Sequence, residues 1–431
     1  MDKTIALPVV GFIGLSHLGL VTSTVLSSFG VRTICFDFDS SLIEELDGGV
    51  SRVSEPGLLE LLRSNKQKQI FTSCIGDLGA CDFVYISCDV PTNSEGKSDV
   101  SLIEEIIQLI QEVLPKKTIV ILSQIYPGFT RAFAELTSDA IYCQVETLVF
   151  GNAIERALKQ TRIVVGSKNT GDPLPKAFNQ ILRLYKCPIF VFSYETAELT
   201  KVAINSFLAS DIALTNTLAE ISGAIGAEWR NVVEALILDK RIGAHRYLRP
   251  GLGIAGGNIE RDLQTLIDMS LQLKTNDSFL KAIVDVNQYH RSWTVRKLRE
   301  YGLLDLPQRS FGILGLTYKA GTNSLKNSPA ISVIEQLPKS SVISVYDPVI
   351  KSLELNTEIA FSFKSSPLEV IHESDIILIM TPWQEFNLIS RLLDSSTTKE
   401  KIFIDPFGIL KKESKKLDMR LYVTIGLTTI T

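Results

Sequence analysis

The feature that most constrains the fold of this chain is a rhythm of short apolar runs separated by amphipathic stretches, which is present near both ends and absent between them. Short apolar runs bounded by glycine or polar residues predict buried strands, and helices between them predict parallel pairing. A doubly wound sheet is therefore expected in each half. The runs occupy residues 8–14, 31–37, 82–88, 118–124, 162–167 and 188–193, and then 311–316, 342–347, 375–380 and 401–405.

The alternation of apolar runs and amphipathic stretches is absent from the middle of the chain. Residues 196–227 contain no proline and only late glycines, which predicts one long helix packed on several sides. Helical stretches continue to about residue 304. The predicted fold class is α/β, with two Rossmann-like doubly wound domains joined by a long central helix and a helical middle region. The expected domains are 1–195, 196–304 and 305–431.

Composition excludes several classes of function. Of the 431 residues 45% are hydrophobic and 21% charged, and the net charge of −4 gives no basic field for nucleic acid. The apolar runs fall far short of the roughly 18 residues that a membrane span needs. The N-terminus has no signal-peptide layout, the four histidines form no metal constellation, and none of the six cysteines lies beyond residue 187. We therefore expect a cytoplasmic protein without a metal site.

A glycine-rich turn, GLSHLG at 14–19, follows the first predicted strand and opens a helix. In that context the pattern indicates a pyrophosphate site, because a helix N-terminus supplies N–H donors and a positive dipole. Ser16 replaces the middle glycine; its Cβ crowds the phosphate, although its hydroxyl is able to donate a hydrogen bond. Asp37 ends the second strand, where a carboxylate binds the ribose of NAD and disfavours NADP. Gly14, Ser16, Gly19 and Asp37 are thus predicted cofactor contacts; the alternative is a turn that binds nothing.

Two polar residues of the long helix, Lys201 and Asn205, lie four positions apart and therefore on one face. A lysine and an asparagine side by side can orient an oxygen atom and stabilise developing charge. The alternative is an ordinary exposed face.

A second glycine-rich segment, PGLGIAGGNIERD at 250–262, has four glycines that permit close main-chain approach to a ligand. Asp262 lies four residues beyond Asn258, so the two share a face if a helix begins there. The alternative is a mobile interdomain linker. A third segment, GLTYKAGTNSLKNSP at 315–329, offers Lys319 and Lys326 to oxygen-rich anions, or is a solvated turn.

Taken together and in order, these segments resemble the UDP-glucose/GDP-mannose dehydrogenase family, the nucleotide-sugar 6-dehydrogenases. The resemblance runs from about residue 9 to about residue 410. It rests on FDFD, EPGLLELL (55–62), VPTNSEGKSDVS (90–101), RIVVG (162–166), AELTKVAINSFLA (197–209), RIGAHRYLRPGLGIAGG (241–257), GLTYKAGTN (315–323), YDP (346–348) and TPWQEF (381–386).

The resemblance implies an N-terminal domain that holds NAD, a long central helix that forms much of a homodimer, and a C-terminal domain that holds the nucleotide of a UDP-linked sugar. Members of the family oxidise the C6 alcohol to an acid by two hydride transfers. A cysteine captures the aldehyde as a thiohemiacetal, which is oxidised to a thioester and hydrolysed.

By position, Lys201 and Asn205 match a lysine and an asparagine that position a catalytic water and stabilise the oxyanion. Asp262 matches an aspartate that works with that lysine. Arg241 matches an arginine that reaches the substrate of the neighbouring subunit, and Lys319 matches the lysine of the family's FK segment. The resemblance also implies cofactor contacts at Thr92 and Lys326 and substrate contacts at Gly253 and Gly256.

Several family positions hold a different residue in this chain. The catalytic cysteine position is Asn258, and a glutamate that assists thioester hydrolysis falls on Phe150. The remaining departures are Gln124 for a threonine, Arg261 for a lysine, Asn323, Ser324 and Lys326 for a paired-aspartate and arginine motif, and Phe407 for an arginine.

An amide nitrogen is not a useful nucleophile, so Asn258 removes the thiohemiacetal and the thioester from the reaction. Lys201, Asn205 and Asp262 suffice for one proton removal coupled to one hydride transfer. We expect a single two-electron oxidation of a nucleotide sugar, with Asn258 bonded to the reacting sugar. The alternatives are a redox-neutral epimerase with resident NAD, and a non-catalytic family member that binds nucleotide sugar or pairs with an active subunit.

Overall fold

The structure is a computed structural model that describes residues 6–92, 98–137, 140–305, 309–352, 361–393, 395–411 and 417–427. The chain divides into two compact units, Met1–Ile204 and Asn205–Thr431. Each unit contains one sheet. The three-part division at residues 195 and 304 stays a prediction.

The first unit is built on an eight-stranded sheet with the strand order β3-β2-β1-β4-β5-β6-β7-β8. Every neighbouring pair is parallel except β6 and β7, which run antiparallel. The first six strands therefore have the 3-2-1-4-5-6 order of a Rossmann fold. The strands are β1 Val9–Ile13, β2 Arg32–Phe36, β3 Gln69–Thr72, β4 Phe83–Ile86, β5 Thr118–Ile121, β6 Ile141–Gln144, β7 Ile163–Ser167 and β8 Ile189–Ser193.

Helices cover both faces of this sheet, so its central strands are buried on both sides and are apolar throughout. The helices are α1 His17–Ser28, α2 Ser40–Asp47, α3 Leu58–Ser64, α4 Ser101–Val113, α5 Phe129–Ala134, α6 Ala153–Leu158 and α7 Lys176–Leu182. Two apolar clusters, one on each face, form the core of the unit.

The predicted long helix is α8 (Tyr194–Ala224), which spans 31 residues and contains the boundary between the two units. Among the described residues, this and every other helix is too short or too polar to cross a membrane.

The second unit repeats the Rossmann order with a smaller sheet. Its six strands are all parallel in the order β11-β10-β9-β12-β13-β14. The strands are β9 Ser310–Leu314, β10 Val342–Tyr346, β11 Phe361–Phe363, β12 Ile376–Ile379, β13 Ile402–Ile404 and β14 Leu421–Val423. The helices are α9 Trp229–Leu236, α10 Asn258–Leu273, α11 Ser278–Arg291, α12 Trp293–Glu300, α13 Pro329–Ile334, α14 Pro367–Glu373, α15 Phe386–Leu392 and α16 Ser395–Thr398. The predicted α/β fold class is confirmed.

Candidate active site

The first functional element is the turn between β1 and α1, where the chain passes close to its own main chain. Gly14 adopts φ +89°, and a Cβ added there would lie 2.3 Å from Cys88 Sγ. A Cβ on Gly19 would lie 1.9 Å from the carbonyl oxygen of Gly14. Only glycine fits at either position, so the N-terminus of α1 sits directly over the end of β1.

Two polar side chains fix the shape of this turn. The Oδ2 atom of Asp37 accepts a hydrogen bond from the Leu15 N–H at 2.7 Å, and its Oδ1 atom accepts from the Asp39 N–H at 3.0 Å. A carboxylate has about four lone-pair sites, so Asp37 keeps capacity for ribose hydroxyl groups. The Ser16 hydroxyl donates to the Ser87 carbonyl at 3.1 Å, so its one proton is committed within the unit.

The turn between β1 and α1 fits a dinucleotide. Glycines hold the main chain open, α1 has no acidic residue in its first turn, and Asp37 is placed at the end of β2. Thr92 follows β4 and forms a short bridge with Ser98. Residues 93–97, which belong to the VPTNSEGKSDVS segment, lie outside the described residues.

Lys201 is fixed in the first unit by the segment that follows β6. Its Nζ donates to the Glu146 main-chain carbonyl at 2.6 Å. The pKa of the Glu146 carboxyl is raised, chiefly because burial disfavours its charged form. The sequence interpretation did not single out Glu146. The available signal was an acidic residue two positions after strand β6, at the edge of the sheet where ligands bind.

Phe150, at the position expected for a glutamate, contacts the first turn of α1. Its ring centroid lies 3.9 Å from that of His17. The Nε2 atom of His17 is 2.7 Å from an oxygen of Glu55, whose side chain is fully buried. Neither His17 nor Glu55 was expected from the sequence to belong to a site.

In the second unit the glycine-rich segment is held by asparagine side chains. A Cβ on Gly253 would lie 2.4 Å from Asn287 Oδ1, which also accepts a hydrogen bond from the Ile254 N–H. The Gly256 carbonyl accepts a hydrogen bond from Asn327 Nδ2 at 2.6 Å. These bonds give the segment a defined conformation and do not fit a mobile linker.

Asn258 is the first residue of α10, and Asp262 lies one turn further on. The Asp262 Oδ2 atom accepts a hydrogen bond from Asn205 Nδ2 at 2.6 Å, and both residues are buried. Arg261 Nε lies 3.8 Å from the other oxygen of Asp262. Within the second unit, the amide of Asn205 on α8 is therefore bonded to the carboxylate of Asp262, beside the glycine-rich segment.

The remaining predicted positions have different surroundings. The Nζ atom of Lys326 lies 2.9 Å from where a Cβ of Gly257 would be, so its side chain lies along the glycine-rich segment. Lys319 Nζ is 5.7 Å from the centroid of the Tyr318 ring. Arg241 has an 88% exposed side chain that pairs with Asp239 at 2.6 Å, so within its own unit it faces solvent.

Sequence profiles decide the family. The profile of the UDP-glucose/GDP-mannose dehydrogenase NAD binding domain matches residues 9–187, that of the central domain residues 195–289, and that of the UDP binding domain residues 312–412. The chain belongs to the UDP-glucose/GDP-mannose dehydrogenase family. Its cofactor is NAD, and its UDP binding domain identifies a nucleotide sugar as the substrate.

Individual relatives of the UDP-glucose/GDP-mannose dehydrogenase family agree with this assignment. A UDP-glucose 6-dehydrogenase of Rickettsia bellii is 30% identical over 441 residues, covering 97% of this chain and 99% of its own length. A UDP-glucose 6-dehydrogenase of Bacillus subtilis is 26% identical, covering 97% and 93%.

Solved structures of the family have the same fold. The UDP-glucose dehydrogenase of Pyrobaculum islandicum superposes with a TM-score of 0.86 at 25% identity, covering 99% of this chain and all of that one. The UDP-D-ManNAc dehydrogenase of Pyrococcus horikoshii gives 0.81 at 23% identity, covering 97% and 99%.

Proposed function

We propose that this family member carries out a single NAD-dependent two-electron oxidation of a UDP-linked sugar and forms no thioester. The observation that carries the proposal is the amide of Asn258 at the start of α10, where the family reaction requires a thiol. The chain has no cysteine after residue 187, so the second unit contains no thiol that could take its place.

The thiol is essential to the second oxidation for a chemical reason. An aldehyde must first become a tetrahedral adduct that carries a transferable hydride, and a thiolate forms that adduct readily. The lone pair of the Asn258 amide nitrogen is delocalised, so it forms none. Phe150 supplies no carboxylate for hydrolysis of a thioester, which removes a second requirement of the same half-reaction.

The first oxidation needs fewer groups. NAD, when bound, accepts a hydride, and the chain's own residues hold the sugar and remove one proton. Lys201 or Asp262, acting through water, is the proposed base, and Asn205 orients Asp262. The 2.6 Å bond between Asn205 and Asp262 supports this role because it fixes the carboxylate in one orientation. Asn258 is the proposed hydrogen-bond partner of the sugar.

Around these groups we assign the cofactor to Gly14, Ser16, Gly19, Asp37, Thr92 and Lys326. The substrate contacts are Arg241, Gly253, Gly256 and Lys319. All six cysteines are free thiols, which supports a reducing compartment such as the cytoplasm.

We also propose a homodimer built on α8. Four apolar residues at helical spacing lie exposed along this helix, namely Phe207 at 72%, Leu214, Leu218 and Ile221, and Ile225, directly after its last residue, is 74% exposed. Light scattering combined with size-exclusion chromatography should give twice the 47.7 kDa chain mass. A monomer at micromolar concentration contradicts this part of the proposal.

The reaction is tested by stoichiometry. Purified protein is incubated with NAD and a panel of UDP-, GDP- and CDP-sugars, and NADH absorbance is compared with product mass. One NADH per sugar and a product two mass units lighter are expected. Two NADH with a carboxylate product overturn the reasoning from Asn258. A changed sugar without NADH indicates epimerisation, and tight binding without turnover indicates a non-catalytic member.

A further inference from the structure

A histidine and a buried glutamate form a dyad beside the cofactor turn of the first unit. His17 is the first residue of α1, and its Nε2 atom lies 2.7 Å from Oε1 of Glu55. Glu55 Oε1 also accepts a hydrogen bond from the Gly151 N–H at 2.7 Å, and Oε2 accepts from the Ala153 N–H at 3.2 Å. The carboxylate is thus an acceptor toward two main-chain donors as well as the imidazole.

This arrangement fixes the tautomer of His17. An ionised carboxylate only accepts hydrogen bonds, so the proton between the two groups belongs to Nε2. The neutral ring then has Nδ1 as an acceptor, since one imidazole nitrogen donates and the other accepts. The Glu55 side chain has no exposed area, whereas that of His17 keeps 10%. The dyad therefore presents an oriented acceptor near the surface of the site.

Phe150 packs against the imidazole of His17 and offers no hydrogen-bond acceptor of its own. The resemblance expects a glutamate at position 150, and Phe150 has no polar atom in its side chain. Its ring centroid lies 3.9 Å from that of His17, with 31° between the ring planes. The phenyl ring thus holds the imidazole in place, and the imidazole stands beside the position that lacks the carboxylate.

We propose that Nδ1 of His17 is the hydrogen-bond acceptor for a hydroxyl group of the bound ligand. A phosphate oxygen is also an acceptor and does not pair with neutral Nδ1, and the N–H groups of the bases lie beyond the riboses that flank a pyrophosphate at a helix N-terminus, so the partner is a hydroxyl. That hydroxyl belongs either to a ribose of NAD or to the sugar of the nucleotide sugar. The inference rests on the proposed function because it assumes that the first unit binds NAD beside a sugar substrate.

The first test reads the tautomer directly and needs no turnover. Protein labelled with ¹⁵N at histidine gives four ring systems, and the His17→Phe variant identifies the signals of His17. Proton-detected spectra at a pH of about 8 should show the Nε2–H form. The Nδ1 signal should shift when the ligand that carries the hydroxyl is added. A Nδ1–H form in the wild-type protein overturns the inference.

The second test removes the acceptor that orients the imidazole. The Nε2 atom of His17 and the Gly151 N–H both bond to Oε1 of Glu55, so Glu55→Leu leaves the Nε2–H group without its acceptor and no longer fixes the tautomer. We expect this variant and His17→Phe to bind the ligand that supplies the hydroxyl, either NAD or the nucleotide sugar, about tenfold more weakly. A loss of about tenfold is the usual effect of one lost hydrogen bond. His372→Gln, a substitution at an exposed histidine of α14, is the matched control and should bind as the wild type does.

Calorimetry with NAD alone and with UDP-glucose alone distinguishes the two sources of the hydroxyl. Deoxy analogues of the weakened ligand should bind the wild-type protein about tenfold more weakly but bind His17→Phe without further loss. Additive losses overturn the inference.

Failure of the inference and failure of the proposed function are separable. If the protein forms NADH but both dyad variants bind as the wild type does, the inference about His17 is wrong and the proposed oxidation stands. If both variants bind more weakly but the protein forms no NADH, the proposed oxidation is wrong and the inference stands.

Discussion

Replacing Asn205 by aspartate tests the buried pair at the centre of the proposed mechanism. The substitution places a second carboxylate 2.6 Å from Asp262, at a position that is 8% exposed. At an effective dielectric constant of about 20, two unit charges at that distance repel by about 6 kcal/mol. Protonating the new carboxyl at pH 7.5 costs about 5 kcal/mol, so we expect the folded variant to take up one proton.

The sign of the pH effect follows from this proton. The folded variant binds one more proton than the unfolded chain above about pH 4, so its stability falls as pH rises, by about 1.4 kcal/mol per unit. Between pH 5.0 and 7.5 the loss amounts to about 3.5 kcal/mol. Asn205→Leu is the matched control, because it removes the same hydrogen bond and adds no titratable group.

Urea unfolding followed by tryptophan fluorescence measures this difference. The three tryptophans, Trp229, Trp293 and Trp383, all belong to the second unit, which also contains Asn205 and Asp262. The free energy of unfolding of Asn205→Asp should decline with pH relative to that of Asn205→Leu. Parallel pH profiles for the two variants refute the reasoning, because they mean that no carboxylate lies against position 205.

Three further predictions concern the reaction, the cofactor turn and the second sheet. Asn258→Cys alone should stall after about one turnover as a covalent thioester, seen as added protein mass, whereas Asn258→Cys combined with Phe150→Glu should turn over with about two NADH per sugar, measured by absorbance and product mass. Gly19→Ala should weaken NAD binding at least tenfold in calorimetry, because the added Cβ would lie 1.9 Å from a carbonyl oxygen; Gly79→Ala, whose Cβ meets a side chain at 3.8 Å, should not. Burial raises the pKa of Asp405 to about 6 from 3.8, so wild type should lose about 2 kcal/mol relative to Asp405→Asn as pH rises from 4 to 7, measured by urea unfolding; a gap independent of pH contradicts this.

Much of the fold follows from short-range patterns. The run at 8–14 and the glycines after it specify β1, the turn and α1 within about 20 residues, and the structure agrees. The absence of proline over 196–227 likewise predicted α8. The antiparallel pairing of β6 and β7 was not predicted, because a strand's direction in a sheet depends on the path of its connection and not on its own residues.

The parts of the site that were missed depend on long-range contacts. Glu55 meets His17 across 38 residues and Gly151 across 96, so no local spacing indicates the dyad. Ser16 shows the same effect of a distant contact. The sequence predicted that its hydroxyl is able to donate to a phosphate, but the hydroxyl donates to the carbonyl of Ser87, 71 residues away. Sequence patterns located the residues of the turn and could not state which hydrogen bonds they had already made.

The two sheets repeat one turn and use its aspartate differently. Asp37 and Asp347 each follow the second strand of their sheet, and each accepts the main-chain N–H of the residue after the first turn glycine, Leu15 at 2.7 Å and Leu316 at 2.8 Å. Beyond that bond the structure assigns Asp37 one more donor. Asp347 has four more: the N–H groups of Thr317, Val349 and Ile350 and the indole N–H of Trp383.

Five donors fill the roughly four acceptor sites of the Asp347 carboxylate, which is 1% exposed. It therefore has no capacity for ribose hydroxyl groups and acts as a brace for its turn, whereas Asp37 retains that capacity. The same strand order and the same glycine turn thus give one unit whose aspartate is available to a dinucleotide and another whose aspartate is not. Because Trp383 supplies one of the saturating donors, the TPWQEF segment after β12 is part of what separates the two sheets in function.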